Sequence, residues 1–343
     1  MKNIQYIELA NGVKIPKIAF GVGRIQPEMA QISTEKALES GFGFIDSCIS
    51  YGNQSYVGKG VQEYLQKSDK KRSELVLTQK LGGFELGYDK VLKSFEESCQ
   101  NYGTEYLDVM LIYYPRENNP YNFRYVIDAW RALEKLYKQN KVKVIGVSNF
   151  SVENLMKLLA YAEIKPMINQ IELHPFYQQR MLARFCKDNN IQVEAWSPLM
   201  YVVNENILKE LGEKYNKSSA QIALRWSVQK GFIPICSSKI ESEIKENLEI
   251  FDFEISEDDM QRIDSLDGGM HSIDNSIQPQ LDTQTIVNAI YNHRNTNSYT
   301  RTFKLFGLIP ILKEVKKSRR ITKFYFLGIP FLKIDTKTCG MKG

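Results

Sequence analysis

Eight short runs of β-branched, aliphatic and aromatic residues recur along this chain. They lie at 18–21, 43–48, 75–81, 107–114, 142–149, 168–173, 192–198 and 232–238. Longer stretches of helical period separate them, at 33–40, 58–66, 87–102, 123–139, 151–161, 179–189 and 218–230. Strand alternating with helix predicts a parallel sheet, and eight such units in about 250 residues favour an α/β fold closed into a (β/α)8 TIM barrel. Ser151 and Ser219 stand where helix caps are expected. Ahead of the barrel, Asn11-Gly12 joins the alternating segments 5–9 and 13–18. Asn-Gly between alternating apolar residues predicts an N-terminal β-hairpin.

Charge divides the chain. The net charge of +5 combines 33 basic and 38 acidic residues in 1–283 with 12 basic and 2 acidic residues in 284–343. An acidic body with a basic appendage excludes reading the whole chain as a basic nucleic-acid binder. Three parts are expected: a barrel over 1–270, a linker rich in Asn, Ser, Gln and Thr over 271–300, and a basic apolar tail over 301–343. The five cysteines are scattered and form no C-x-x-C. That usage suits a reducing cytoplasm. The first residues show no apolar run of signal-peptide length. The longest apolar runs, in the tail, fall far short of the roughly 20 residues that cross a bilayer.

Within the tail, FKLFGLIPILK (303–313) and FYFLGIPFLK (324–333) form an approximate repeat around the basic stretch KEVKKSRRITK. The Gly and Pro at the centre of each copy argue against a continuous helix. Three roles stay open: contact with an anionic membrane surface at the inner face, contact with a protein partner, or a tail that folds on its own barrel or stays disordered. No motif accompanies the charge that would make nucleic acid a partner.

In a barrel of this kind, chemistry sits at the C-terminal ends of the strands. Polar residues collect there: Asp46 and, in the following loop, Tyr51; Lys80; Tyr113 and Tyr114; Ser148 and Asn149; Gln170; Trp196 and Ser197. Any one of them alone reads as solvated or as packing. Together, an Asp, a Lys and a Tyr on adjacent units can form a proton-donor relay. The Asp holds the Lys, and the cation is expected to draw the phenol down from its ordinary value of about 10. No G-x-G-x-x-G, no Walker loop and no Ser/His/Asp set is present. His174, ahead of a proline, reads as structural rather than as a metal ligand, and no metal site is expected.

At these residues the chain resembles the aldo-keto reductases, over about 5–267. LANGVKIPKIAFG is similar to the family's opening hairpin and first strand. ALESGFGFIDSCISYGNQSYVGKGV is similar to its catalytic segment, and RSELVLTQKL to the strand carrying its lysine. VKVIGVSNF, INQIELHPF and VEAWSPL are similar to its cofactor strands. The resemblance implies an NAD(P)H-dependent oxidoreductase that reduces an aldehyde or ketone, with Asp46, Tyr51 and Lys80 catalytic and Tyr51 the proton donor. It also implies that Ser148, Asn149 and Gln170 hold the nicotinamide carboxamide and that Trp196 stacks on its ring. Ser197 and Leu199 would lie along the pyrophosphate, and Glu246 and Asn247 at the adenine.

The chain departs from the family in three places. Tyr113 stands where the family has a histidine, so a phenol is expected to donate to the substrate oxygen in its stead. Ser237 and Glu243 stand where NADPH-dependent members carry a lysine and an arginine. A carboxylate repels a 2′-phosphate and accepts from a free ribose hydroxyl, so NADP(H) and NAD(H) are left equally open. Gly23 and Gly82 replace large aromatics at the pocket wall, which points to a wider, more polar mouth and a larger or hydroxylated substrate, such as a sugar or nucleotide-sugar carbonyl; the partner expected is a small-molecule carbonyl substrate. A monomer is expected. The competing reading is a catalytically weak barrel that binds the cofactor as a regulatory or tethered subunit.

Overall fold

A computed structural model describes residues 4–115, 123–271, 321–326 and 329–335. The chain divides into two compact units, Met1–Pro279 and Gln280–Gly343.

The first unit opens on a hairpin, β1 (Tyr6–Glu8) and β2 (Lys14–Pro16). Its turn is the Asn-Gly pair: Gly12 takes φ +83°, and Asn11 Oδ1 accepts from the Val13 amide at 3.2 Å. Asn11 Nδ2 then reaches the Lys143 carbonyl at 2.9 Å, which ties the hairpin to the barrel.

Eight parallel strands follow: β3 (Ala19–Gly21), β4 (Phe44–Asp46), β5 (Val76–Leu81), β6 (Leu107–Ile112), β7 (Val142–Ser148), β8 (Ile168–Glu172), β9 (Gln192–Trp196) and β10 (Ile233–Cys236). Each pairs with the next, and β10 returns to pair with β3, so the barrel is closed. Every residue of β6 and of β8 is buried, as strands covered on both faces must be. The ring of helices comprises α1 (Pro27–Ser40), α2 (Gln54–Lys67), α3 (Tyr88–Tyr102), α4 (Phe123–Lys138), α5 (Val152–Leu159), α6 (Arg180–Asp188), α7 (Asn206–Tyr215), α8 (Ser219–Gln229), α9 (Glu241–Glu246) and α10 (Glu257–Asp264).

Local chemistry sets several of these boundaries. Ser151 Oγ accepts from the Asn154 amide at 3.2 Å and starts α5. The cap of α8 is Ser218, one residue earlier than expected, and it forms a reciprocal capping box with Gln221. The helices α7, α9 and α10 were not among the expected stretches. Ser256 caps α10, and three acidic residues in its first turn suit the helix N-terminus. Helices α2 and α3 approach closely at Gly58, where an added Cβ would overlap the Asn101 carbonyl.

The apolar interior holds a polar layer near its C-terminal end. Asp46, Lys80, Gln170 and Glu194 are all nearly inaccessible to solvent. Strand register creates it, since Ser148 pairs with Gln170 and Gln170 with Glu194. The free cysteines Cys48, Cys99, Cys186 and Cys236 lie apart from any metal-binding cluster among the described residues. No described helix is long and apolar enough to cross a membrane.

In the second unit, β11 (Ile321–Phe326) and β12 (Ile329–Asp335) form an antiparallel pair. Lys323 lies opposite Lys333, and the register shifts between Phe324 and Tyr325. These strands span most of the second repeat copy, where no continuous helix was expected. The first copy at 303–313, and the linker beyond His271, lie outside the described residues.

Candidate active site

The strand ends bring Asp46, Lys80 and Gln170 into one buried triangle. Lys80 Nζ donates to Asp46 Oδ2 at 2.7 Å and to Gln170 Oε1 at 2.9 Å. Gln170 Nε2 completes it, donating to Asp46 Oδ1 at 2.9 Å. Burial is the largest influence and works against the Lys80 ammonium, but Asp46, joined by Cys48 and Tyr113, holds the amine above its ordinary range. A cation at this depth is tolerated because it is paired with a carboxylate and hydrogen-bonded to an amide.

Tyr51 ends a short 3-10 turn, Ile49–Tyr51, directly after β4. Asn53 fixes the loop that follows, donating to the carbonyls of Val22 and Ile25 at 2.9 Å each. The Tyr51 ring packs edge-on to Tyr113, with ring centroids 6.1 Å apart. Tyr113 in turn packs on Tyr114 at 4.1 Å. Lys80 Nζ lies 5.2 Å from the Tyr51 ring centroid and 5.4 Å from that of Tyr113.

Here one expectation is overturned. The lysine was to draw the Tyr51 phenol down, yet burial and then the Asp46 carboxylate push it well above the ordinary tyrosine range. Lys80 meets Tyr51 across the ring and gives its hydrogen bonds to Asp46 and Gln170 instead. Tyr113 is pushed up as well, chiefly by burial. Both phenols therefore keep their protons at neutral pH and are weaker acids than an ordinary tyrosine.

The residues assigned to the nicotinamide end join this triangle. Ser148 Oγ donates to the Gln170 carbonyl at 2.9 Å. Asn149, in a left-handed conformation with φ +60°, donates through Nδ2 to Ser148 Oγ and to the Tyr113 carbonyl, both at 3.1 Å. Its Oδ1 accepts from Trp196 Nε1 at 2.8 Å. Trp196 is half-buried and tethered by its edge. Ser197, also left-handed at φ +53°, and Leu199 follow in a half-buried turn.

Ser237, Glu243, Glu246 and Asn247 gather separately, after β10 and along α9. Ser237 and Glu243 are exposed and Asn247 is buried. The Glu243 carboxylate accepts from Ser238 Oγ at 2.5 Å. The donor set suits a nicotinamide dinucleotide: amides and hydroxyls at adjacent strand ends beside a tethered indole, then exposed hydroxyls at a helix start.

At the mouth, both glycines have neighbours that fill their open side. A Cβ on Gly23 would meet the Tyr51 ring at 3.4 Å, and one on Gly82 would overlap Ser50 Oγ and come within 2.6 Å of Glu85 Oε2. The expected extra width is therefore partly taken by the Tyr51 ring and by two polar groups. His174 is fully buried and packs against Phe176, Tyr177 and Tyr201.

Sequence reasoning missed Glu194. It lies inside β9, wholly buried, and its Oε2 accepts from Gln170 Nε2 at 2.8 Å. Burial, then the nearby Asp46, pushes its carboxyl up to about 8. The available signal was a single acid inside the strand run QVEAW.

Comparison with known proteins identifies relatives of the barrel. Residues 17–268 match the model of the aldo/keto reductase family. An uncharacterized oxidoreductase, YtbE, of Bacillus subtilis is 44% identical over 261 residues, covering 75% of this chain and 91% of its own. A glyoxal reductase of the same organism is 43% identical over 263 residues, covering 76% and 92%. Among solved structures, an aldo-keto reductase of Bombyx mori in complex with NADP superposes with a TM-score of 0.75 at 29% identity, covering 80% of this chain and 96% of its own.

Proposed function

The chain belongs to the aldo/keto reductase family, and from that premise we propose that it reduces an aldehyde or ketone to the alcohol with Tyr51 as proton donor. The observation that carries this reading is the Asp46–Lys80 pair at 2.7 Å beneath the Tyr51 ring. As the carbonyl oxygen gains charge, the Tyr51 phenol gives it a proton. The resulting phenolate faces Lys80, whose charge Asp46 and Gln170 hold in place. Tyr113 offers a second hydroxyl beside Tyr51. Because Asp46, Lys80 and Gln170 are buried, their charges and dipoles act more strongly than they would in solvent.

When bound, the nicotinamide cofactor supplies the hydride. Ser148, Asn149 and Gln170 would hold its carboxamide and Trp196 its ring, with Ser197 and Leu199 toward the phosphates. Ser237, Glu243, Glu246 and Asn247 would take the adenosine end. Either NADPH or NADH fits this set, since the two exposed positions supply a hydroxyl and a carboxylate rather than two cations. Ser50 and Glu85 at the mouth favour a small or sugar-like carbonyl bearing hydroxyl groups, and the similarity to a glyoxal reductase supports a small aldehyde.

The test is oxidation of NADPH and of NADH by the full-length protein against a panel of aldehydes, ketones and sugars. Turnover should fall by about 10² to 10⁴ in Tyr51→Phe. Cofactor binding without turnover across the panel would reject the reading and leave a binding or regulatory barrel, which the tyrosine at 113 favours.

A further inference from the structure

We propose that Glu194 is a positioning residue for this site, acting through the Gln170 amide on Lys80 and Asp46, and that it makes cofactor binding and turnover depend on pH. The turnover half rests on the reductase reading above; the binding half does not.

Gln170 stands between one cation and two acids. Its Oε1 accepts from Lys80 at 2.9 Å, while its Nε2 donates to Asp46 at 2.9 Å and to Glu194 at 2.8 Å. A flipped amide would set its oxygen against two carboxyl groups and its NH2 against an ammonium. Lys80 and Asp46 fix which way the amide points, and Glu194 accepts its remaining N–H. Strand register makes this contact, because Gln170 and Glu194 are direct partners across β8 and β9.

Charge adds a second consequence. Within the buried group, Lys80 offsets one carboxylate. A second ionised acid would stand uncompensated in the barrel interior, so Glu194 holds its proton to about pH 8. Its Oε1 is buried with no hydrogen-bond partner, the place where that proton would sit. The groups facing this cluster are Asp46 from β4, Lys80 from β5, and around Lys80 the Cys48 thiol and the phenols of Tyr51 and Tyr113. The thiol is pushed up to about 11 and both phenols well up. Among these proton-holding groups Glu194 changes charge first as pH rises. Ionised, it opposes the negative charge that forms when Tyr51 gives up its proton. It also pulls harder on the amide assigned to the nicotinamide.

The experiment compares the full-length chain with Glu194→Gln and Glu194→Leu between about pH 6 and pH 10, well spanning the expected titration. NADPH and NADH binding is followed by fluorescence, and turnover in parallel. In the parent, affinity should weaken about threefold to tenfold, and kcat fall about tenfold, as pH rises through the Glu194 titration. Glu194→Gln, which cannot ionise, should lose that dependence, and Glu194→Leu should bind more weakly already at neutral pH. Binding profiles that are flat in the parent, or that coincide for parent and Glu194→Gln, overturn the proposal. If the binding shift appears but no protein turns over, the reductase reading fails and the role of Glu194 stands. Should Glu194→Leu not fold, the Gln variant alone decides.

Discussion

Lys80 Nζ sits 5.2 Å from the centre of the Tyr51 ring while its hydrogen bonds go to Asp46 and Gln170. The lysine thus faces the phenol ring while its hydrogen bonds go elsewhere. Lys80→Met should remove activity and also leave Asp46 as an unpaired buried carboxylate, costing about 3–5 kcal/mol of stability. Adding Asp46→Asn should restore much of that stability and none of the activity. Thermal melts beside turnover measure both. A single Lys80→Met variant that melts like the parent would contradict the buried pairing.

Tyr113 packs edge-on against Tyr51. If its hydroxyl takes over donation to the substrate oxygen, Tyr113→Phe should lower kcat/KM by about 10², near the lower range for one oxyanion donor. Tyr113→His should recover part of that loss. Equal kcat/KM in the parent and Tyr113→Phe would show that the phenol is not the replacement donor.

The exposed Glu243 carboxylate is held by Ser238, close to Ser237 at the end of β10. Glu243→Arg combined with Ser237→Lys should lower KM for NADPH relative to NADH by about tenfold or more, through a charge-assisted contact with the 2′-phosphate. Steady-state titration with each cofactor gives the ratio. A ratio within about twofold of the parent's, small against one such contact, would place the 2′ position elsewhere.

Gly58 is required by close approach rather than by backbone conformation. A Cβ there overlaps the Asn101 carbonyl, which the end of α3 cannot yield without moving. Gly58→Ala should cost about 3 kcal/mol, at the upper end for overpacking, and lower the melting temperature. Cofactor affinity measured at low temperature should change little, since α2 packs outside the strand-end network.

Much of this was legible in the sequence, for identifiable reasons. Parallel strands buried on both faces read as short apolar runs, so all eight were visible, down to Leu107 at the start of β6. Strand-end polarity marked Asp46, Lys80 and Gln170, because several polar residues gathered at the strand ends suggest a site where one alone would not. Glu194 was hidden since one acid within QVEAW reads as an ordinary alternation. The direction of the Tyr51 shift was misjudged for a related reason. Burial depends on what the finished barrel places around a phenol, and a pattern along the chain does not carry it. The short helix α9 and the mildly apolar α7 lacked the long periodicity that made α3 and α4 plain.

Closure of the barrel also bears on how the site comes to exist. The bond from Gln170 to Asp46 spans 124 residues of sequence, and the contact of Cys236 with Ala19 spans 217. Loops of that length form slowly because their entropy is lost before any contact rewards it. A fragment ending before β8 would carry Asp46, Tyr51 and Lys80 but lack the amide and the acid that aim them. During refolding, tight cofactor binding should therefore lag behind helix formation, making the active site a late reporter of the completed ring.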